Sequence, residues 1–582
     1  MCGLFFLSST KLNNYEFGKK NYRKLSHRGP DKSIILSNKG NEFFLSISIL
    51  SLTRKDDSKI STNEFKSGDR YLVALNGEIY NYKLLAKKFN IQNINSDTEL
   101  ISKLLYVVGI EKLFELIDGM YSIIIYDNYN NKAYFKRDTI GEKRLFYYDY
   151  NNTFVVSSEV SHLKNINLNT TLNKNTIKNY FFTRHLMPLQ ETCYNEIKEF
   201  EPGTLYQYNL DKKILKIISK KRIESYISHD TYNYLSKLKY EEIKLLLKDL
   251  FIENANYLTS PYEDFSTVSS GGLDSTIVTE SFLSSINNPN FSLALNFPGK
   301  DELPKNLIKY YKNKNHTFYL KNFPLEKFKN NLSQIYNYTH SPLPTHSFVS
   351  QYYLSKIVKL NNVKCLVGGD GGDEIFGGYE LYKNIKINEH KKEKTNPSPY
   401  SSIINYPRIS DIFTKDDSYY DKINKSWLQS LDAYSFLPTK ENIYQALLFS
   451  DVRHQLEQVG LLCSDVMSMQ NSIETRTFFV SSKILSVALN LPIRYKFKII
   501  KDKIIETRPI IKDIYKMMTG LKVYSKQGFA GYPNESGRII LNKDKFNMIN
   551  DLFNYDFNSF SRGRDLEWKI INVELFLKNC IA

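Results

Sequence analysis

Cysteine is scarce in this chain: Cys2, Cys193, Cys365, Cys463 and Cys580 are the five among 582 residues, far apart and without a C-x-x-C pair. That excludes a disulfide framework and the common zinc spacings, and it fits a reducing cytoplasm. No apolar run approaches the ~20 residues of a membrane span. The short run Leu4 to Leu7 has no basic region before it and no cleavage signal, so neither insertion nor export is expected. Charge of one sign never accumulates either. The net +17 comes from 79 basic residues scattered among 62 acidic ones, with no block of five or six alike, so a nucleic-acid footprint is not read. With 42% apolar and 24% charged residues the composition is globular, and the length calls for two or more domains.

The chain also lacks the lysine and spacing of the common triphosphate loop, G-x-x-x-x-G-K-S/T. What it has, from Phe265 to Ser281, is FSTVSSGGLDSTIVTES, read as strand, loop, helix. Two adjacent glycines allow a sharp turn and close approach of backbone, and the following helix aims its free N–H groups at the loop, which makes an anion site. The run resembles the S-G-G-x-D-S pyrophosphate loop of the ATP pyrophosphatases. The resemblance implies that Ser269, Ser270, Gly271, Gly272, Asp274 and Ser275 bind ATP and that Asp274 holds Mg²⁺ against the pyrophosphate.

At the other end stands Met1-Cys2-Gly3. A small second residue favours loss of the initiator methionine, which leaves Cys2 a free amine as its own base. An amine near 8 is well matched to a thiol near 8.5. Downstream follow His27-Arg28-Gly29-Pro30-Asp31, Leu75 to Asn81, Ser96 to Glu99, Arg137-Asp138 with Gly141 to Tyr147, and Ser158-Glu159. Together these resemble the N-terminal-nucleophile glutaminase domain of class II glutamine amidotransferases, over about Met1 to Tyr208. The resemblance implies that Asn76 and the Gly77 amide stabilise the oxyanion and that Glu78 and Asp97 hold the substrate's ammonium. Asn76-Gly77 also reads as a type I′ hairpin turn after the strand Tyr71 to Leu75. Where the family opens an R-L-S-I run with an arginine that clamps glutamine, this chain has Ile49-Leu50-Ser51-Leu52. Leu50 and Ser51 remain expected glutamine contacts, and Arg54 is a candidate substitute for the clamp. Helical spacing over Leu100 to Leu113 and broken apolar runs from Tyr121 to Val156 predict a helix and antiparallel hairpins.

After a polar stretch from Asp211 to Lys239, read as a linker, and an amphipathic segment Glu241 to Tyr257, β-prone runs at Phe291 to Phe297 and Val363 to Val367 alternate with helical segments. That pattern argues a parallel sheet with ligands at its carboxyl ends. One such end is Gly368-Gly369-Asp370-Gly371-Gly372-Asp373-Glu374-Ile375-Phe376-Gly377-Gly378-Tyr379, a poor structural choice unless backbone must approach something. It resembles the G-E-G-x-D-E-x-F-G-G-Y segment of asparagine synthetases, with Asp370 in place of glutamate. Asp465 to Arg476 resembles their D-R-M-S-M…S-x-E-x-R stretch, with Val466 for its arginine, and Ser481 stands where an aspartate is usual. Arg508 to Lys512 resembles K-x-x-L-R with the basic residues exchanged, which keeps charge but not geometry. Lys526 to Phe529 and Trp568 to Leu577 match the remaining pattern.

The resemblance covers nearly the whole chain and sets the expectations. The fold is an α+β, αββα glutaminase domain over 1–210, a linker over 211–239 and an α/β ATP-pyrophosphatase-type domain over 240–582. Cys2, Asn76, Gly77, Asp370 and Arg508 are expected to be catalytic; Leu295, Gly368 and Gly369 join the ATP site; Asp274 and Asp373 hold the metal. Glutamine, ATP and by default aspartate are the implied small molecules, with Mg²⁺ as cofactor, a homodimer as a possible assembly, and no nucleic-acid or membrane partner. Two alternatives stay open: the same amidation on another carboxylate, such as a sugar acid or natural-product intermediate, or an ammonia-driven ligase with an impaired glutaminase.

Overall fold

Along β1 (Cys2–Ser9) the side chains alternate, Leu4 and Phe6 to one face and Phe5 and Leu7 to the other, and all four are fully buried. A strand apolar on both faces belongs between layers. The computed structural model describes residues 2–36, 42–52, 70–182, 190–259, 264–297, 302–339, 341–385, 417–523, 546–557 and 564–581. Arg54 and Lys526 to Phe529 lie outside them.

The first half continues with β2 (Lys32–Ile35), β3 (Phe44–Ile49), β4 (Tyr71–Ile79), β5 (Gly119–Asp127), β6 (Lys132–Arg137), β7 (Phe146–Tyr150), β8 (Thr153–Ser157), β9 (Ile197–Glu199), β10 (Thr204–Asn209) and β11 (Ile214–Lys220). They form two antiparallel sheets, β2-β3-β1-β8-β7-β9 and β11-β10-β6-β5-β4. Leu4, Phe6 and Val156 of one meet Leu72, Ile124 and Phe135 of the other in a shared core. The outer face of the second sheet packs on the helix Asp97–Leu116 through Leu100, Leu104 and Leu105. Phe5 and Leu7 face helical Leu163, Ile177 and Tyr180 on the other side. This is the expected αββα sandwich.

Two local readings change. Asn76-Gly77 is no hairpin turn: β4 runs on to Ile79, and Gly77 pairs with Tyr121 across the ladder at φ 132°, where an added Cβ meets the Met120 carbonyl oxygen at 2.0 Å. The segment from Asp211 to Lys239 is folded chain, because β11 pairs along β10 as an edge strand and a helix, His229–Lys237, follows.

The second half holds β12 (Phe265–Val268), β13 (Phe291–Asn296), β14 (Phe318–Asn322), β15 (Cys365–Gly368) and β16 (Glu474–Thr477) in a parallel sheet of order β14-β13-β12-β15-β16. The order reverses between β12 and β15, the switch point at whose carboxyl ends such sheets take ligands. Both glycine-rich turns leave the sheet there. A hairpin, β17 (Phe497–Ile500) and β18 (Lys503–Thr507), delivers Arg508 to the same place. Phe5, Tyr180 and Phe181 share one apolar cluster with Phe291, Leu332 and Phe576, so the halves are joined by core rather than by tether.

Candidate functional site

In the first half, Cys2 opens the central strand and is buried, pairing with Ile49. Its backbone N–H donates to Asn76 Oδ1 at 2.8 Å, a bond from one sheet to the other, while Asn76 Nδ2 donates to Ser122 Oγ at 3.2 Å. Burial pushes the thiol up; the positive amino terminus and the Leu50 amide pull it down, and Glu474 and Asp97 push it up again. Asp97 opens its helix and accepts from the amides of Ile79 (3.0 Å) and Thr98 (2.6 Å), and burial raises it against those bonds. The Ser51 amide donates to Asp31 Oδ2 at 2.7 Å and its carbonyl accepts from Lys364 Nζ at 3.1 Å, so the second half steadies the Leu50-Ser51 backbone. At the family's arginine position Ile49 lies in the sheet, paired with both Cys2 and Lys32.

Arg28 carries more than its motif suggests. Fully buried, it donates to the Cys2 carbonyl (3.2 Å), to Glu159 Oε1 (3.0 Å) and to both oxygens of Asp465 (3.2 and 3.1 Å) in the second half. Glu159 also meets His27 at 3.0 Å and is held well below the usual carboxylate range: burial opposes its charge, but His27 and Arg28 outweigh it. Nearby, Lys143 Nζ donates to the Thr475 carbonyl (3.0 Å) and the Thr477 amide to Glu142 Oε2 (3.3 Å), tying the G-E-K-R loop to β16.

In the second half a cavity of about 410 Å³ is lined by Ser270, Gly272, Asp274, Ser275, Gly368, Gly369, Asp370, Asp373 and Arg508, nine of the sequence-read residues. Ser270 and Ser275 hydroxyls bond at 3.0 Å where the helix Leu273–Leu283 begins. Gly372 of the second turn fits against the first, where a Cβ meets Asp274 Oδ1 at 2.3 Å, and a Cβ on Gly378 meets Asp373 Oδ1 of its own turn at 1.9 Å. Asp274 and Asp373 converge. Arg508 Nη1 lies 2.7 Å from both oxygens of Asp274 and 3.0 Å from Asp373 Oδ1. Asp370 accepts from Ser464 Oγ at 2.6 Å, and burial raises it, with Asp373 and Asp274 adding to the rise.

Three sequence-read ATP residues stand apart from that lining. Ser269 turns inward to the Tyr311 hydroxyl (2.8 Å), Gly271 makes the turn at φ 84°, and Leu295 is a buried residue of β13. Ser481, where an aspartate is usual, caps the helix that follows, its hydroxyl accepting from the Ile484 amide. Sequence reading missed Ser464, Thr477 and Glu380 as cavity residues and Arg28 as an inter-half link. Arg476, which also borders the cavity, donates Nε to Glu474 Oε1 at 2.7 Å and places Nη2 3.7 Å from Glu78 Oε1 of the first half. Among the described residues no helix is long and apolar enough to cross a membrane.

Comparison with known proteins separates the same two halves. Residues 1–218 match the glutamine amidotransferase domain and residues 263–512 match asparagine synthase. A Methanocaldococcus jannaschii protein named for glutamine-hydrolysing asparagine synthetase is 29% identical over 66% of this chain and 76% of its own length. Asparagine synthetase (glutamine-hydrolysing) 1 of Bacillus subtilis is 23% identical over 83% of this chain and 79% of its own. Among solved structures, a glutamine phosphoribosylpyrophosphate amidotransferase from B. subtilis reaches a TM-score of 0.29 at 14% identity, covering 55% of this chain and 65% of that one, a likeness too slight to bear on the fold.

Proposed function

We propose that this chain, which belongs to the glutamine-hydrolysing asparagine synthetase family, releases ammonia at Cys2 and uses it to amidate L-aspartate activated by ATP. The Cys2 thiolate attacks the glutamine side-chain amide, ammonia leaves, and water releases glutamate from the thioester. In the second half the aspartate side-chain carboxylate displaces pyrophosphate from the α-phosphorus. Ammonia then attacks the acyl-adenylate and AMP departs.

Asn76 fits this chemistry once Met1 is removed. An acylated nitrogen at Cys2 can only donate, which turns Oδ1 toward it; a free amine also accepts, so the amide can turn, with the Ser122 hydroxyl then donating to Oδ1. The turned Nδ2 is a donor for the oxyanion. Asp274 and Asp373 suit a hard divalent cation, being two carboxylates that already share one cation, Arg508, at their meeting point. Magnesium held there supplies charge neutralisation for the leaving pyrophosphate. Ser270, Ser275 and the start of the following helix would face its oxygens.

The observation that most supports the reading is Arg476. It borders the nucleotide cavity and lies 3.7 Å from Glu78, read as a glutamine contact, so the cavity wall adjoins the glutaminase half. Asp370, one methylene shorter than the family's glutamate and held by Ser464, favours as second reading a different acceptor acid. The test joins glutamate release with ATP–pyrophosphate exchange over a set of carboxylates. Cys2→Ala should lose glutamine-driven product and keep product from ammonium; unchanged glutamine hydrolysis in Cys2→Ala would refute the assignment. Silence with aspartate and signal with another acid selects the second reading.

A further inference from the structure

Arg508 follows β18 in a left-handed conformation, φ 51° and ψ 48°, uncommon for a residue with a side chain. Pro509 after it disfavours the right-handed helical region, and the Arg508 amide donates to the Lys496 carbonyl at 2.7 Å. That backbone aims the guanidinium inward. The side chain is 5% exposed, against 18% for Asp274 and 19% for Asp373. Gly378 makes the room, since a Cβ there meets Arg508 Cζ at 2.6 Å as well as Asp373 Oδ1.

The place a divalent cation needs is thus taken by a side chain of the protein. The neighbouring bases are engaged elsewhere, Lys512 with Glu506 at 3.0 Å and Arg476 with Glu474 at 2.7 Å. A metal arriving alone must expel the guanidinium from both carboxylates and leave it buried without a partner, which is costly. A metal arriving with a triphosphate brings phosphate oxygens that receive the guanidinium as a bidentate partner. The two ligands together shift an equilibrium that the metal alone does not, because only together do they differ in affinity for the two arrangements.

We propose that Arg508 is the resident counter-ion of the Asp274–Asp373 pair and makes metal binding conditional on nucleotide, leaving the pair for the triphosphate when both arrive. The proposal rests on the reading that Asp274 and Asp373 hold the metal.

Mn²⁺ is the probe, with free ion counted by electron paramagnetic resonance, with and without the non-hydrolysable α,β-methylene analogue of ATP. Wild-type protein should take Mn²⁺ weakly until the analogue is added. Arg508→Gln should bind Mn²⁺ alone at least about tenfold more tightly, as expected when one unit charge is removed at this range. Its melting temperature should rise with Mn²⁺ while that of wild type does not. Arg508→Lys keeps a cation without the fork and should fall between, which covers the case that the glutamine variant fails to fold. Equal Mn²⁺ affinity of wild type and Arg508→Gln without nucleotide would overturn the proposal. Asp274→Asn separates the two ideas. If it removes the affinity gained by Arg508→Gln, the metal assignment stands. A gain that survives it refutes that assignment, whereas no gain at all, with analogue-dependent Mn²⁺ binding lost in Asp274→Asn, refutes only the role of Arg508.

Discussion

Replacing Arg28 by methionine tests how far the surroundings of Cys2 depend on the second half. Methionine fills the space of the aliphatic stem and removes every donor. The loss strands two carboxylates of very different fortune. Glu159 retains His27 at 3.0 Å and the Ser161 hydroxyl at 2.8 Å, whereas Asp465 retains Lys143 at 3.8 Å. Breaking a buried pair from one side costs about 3–5 kcal/mol, and because Glu159 stays partnered the lower end, ~3 kcal/mol, applies. For a unit of 150–250 residues each kcal/mol shifts the melting temperature by about 2–4 °C, so the transition of the first half should fall by about 6–12 °C. Calorimetry of the full chain at neutral pH measures it. Arg28→Met with Asp465→Asn should be less destabilised than the sum of the single changes by about 1 kcal/mol or more, since the second substitution removes the stranded charge. A fall of less than about 2 °C, or strict additivity, would show that the buried network contributes nothing net.

Other outcomes follow from the same geometry. Burial, with the Asp138 carboxylate beside it, pushes Glu142 up to about 8. Its folded value lies above the unfolded ~4.3, so its contribution is fully favourable below that value and lost as pH rises through about 8. Glu142→Gln cannot titrate, so its advantage in melting temperature should widen from pH 5 to pH 9; parallel curves would contradict the assignment. Gly378→Ala drives a methyl group to 1.9 Å from Asp373 Oδ1. Displacing that carboxylate by about 1 Å should cut ATP–pyrophosphate exchange by about 100-fold while glutamine hydrolysis persists, and a loss of both together would point to misfolding instead.

How much of this was legible depended on whether a signal was local. The Phe265 to Ser281 run announced strand, loop and helix because glycines, hydroxyls and the apolar period all lie within one short window. The second turn was rightly read as needing close approach, yet what approaches Gly372 in the structure is Asp274 of the first loop, and what approaches Gly378 is Asp373 of its own turn together with Arg508. Asn76-Gly77 kept a hairpin alternative because the sequence cannot show that β4 pairs with β5, more than forty residues on and beyond a helix. Asp211 to Lys239 read as linker because β11 is an edge strand with mostly exposed side chains, and such strands are polar for the reason linkers are. Arg28 could not be read at all as a bridge, since its partner Asp465 lies 437 positions away. Ser269 and Leu295 sit in the right segments, but nothing local says which way a side chain points.

β16 is the outermost strand of the parallel sheet, and its open flank is met by side chains from the other half: Lys143 takes the Thr475 carbonyl and Glu142 the Thr477 amide. Producing the second half without the first would bare that flank, and a bare strand edge is a template for another chain. The second half produced by itself is therefore expected to stick to its own kind, so carrying both halves on one polypeptide keeps the edge of that sheet covered.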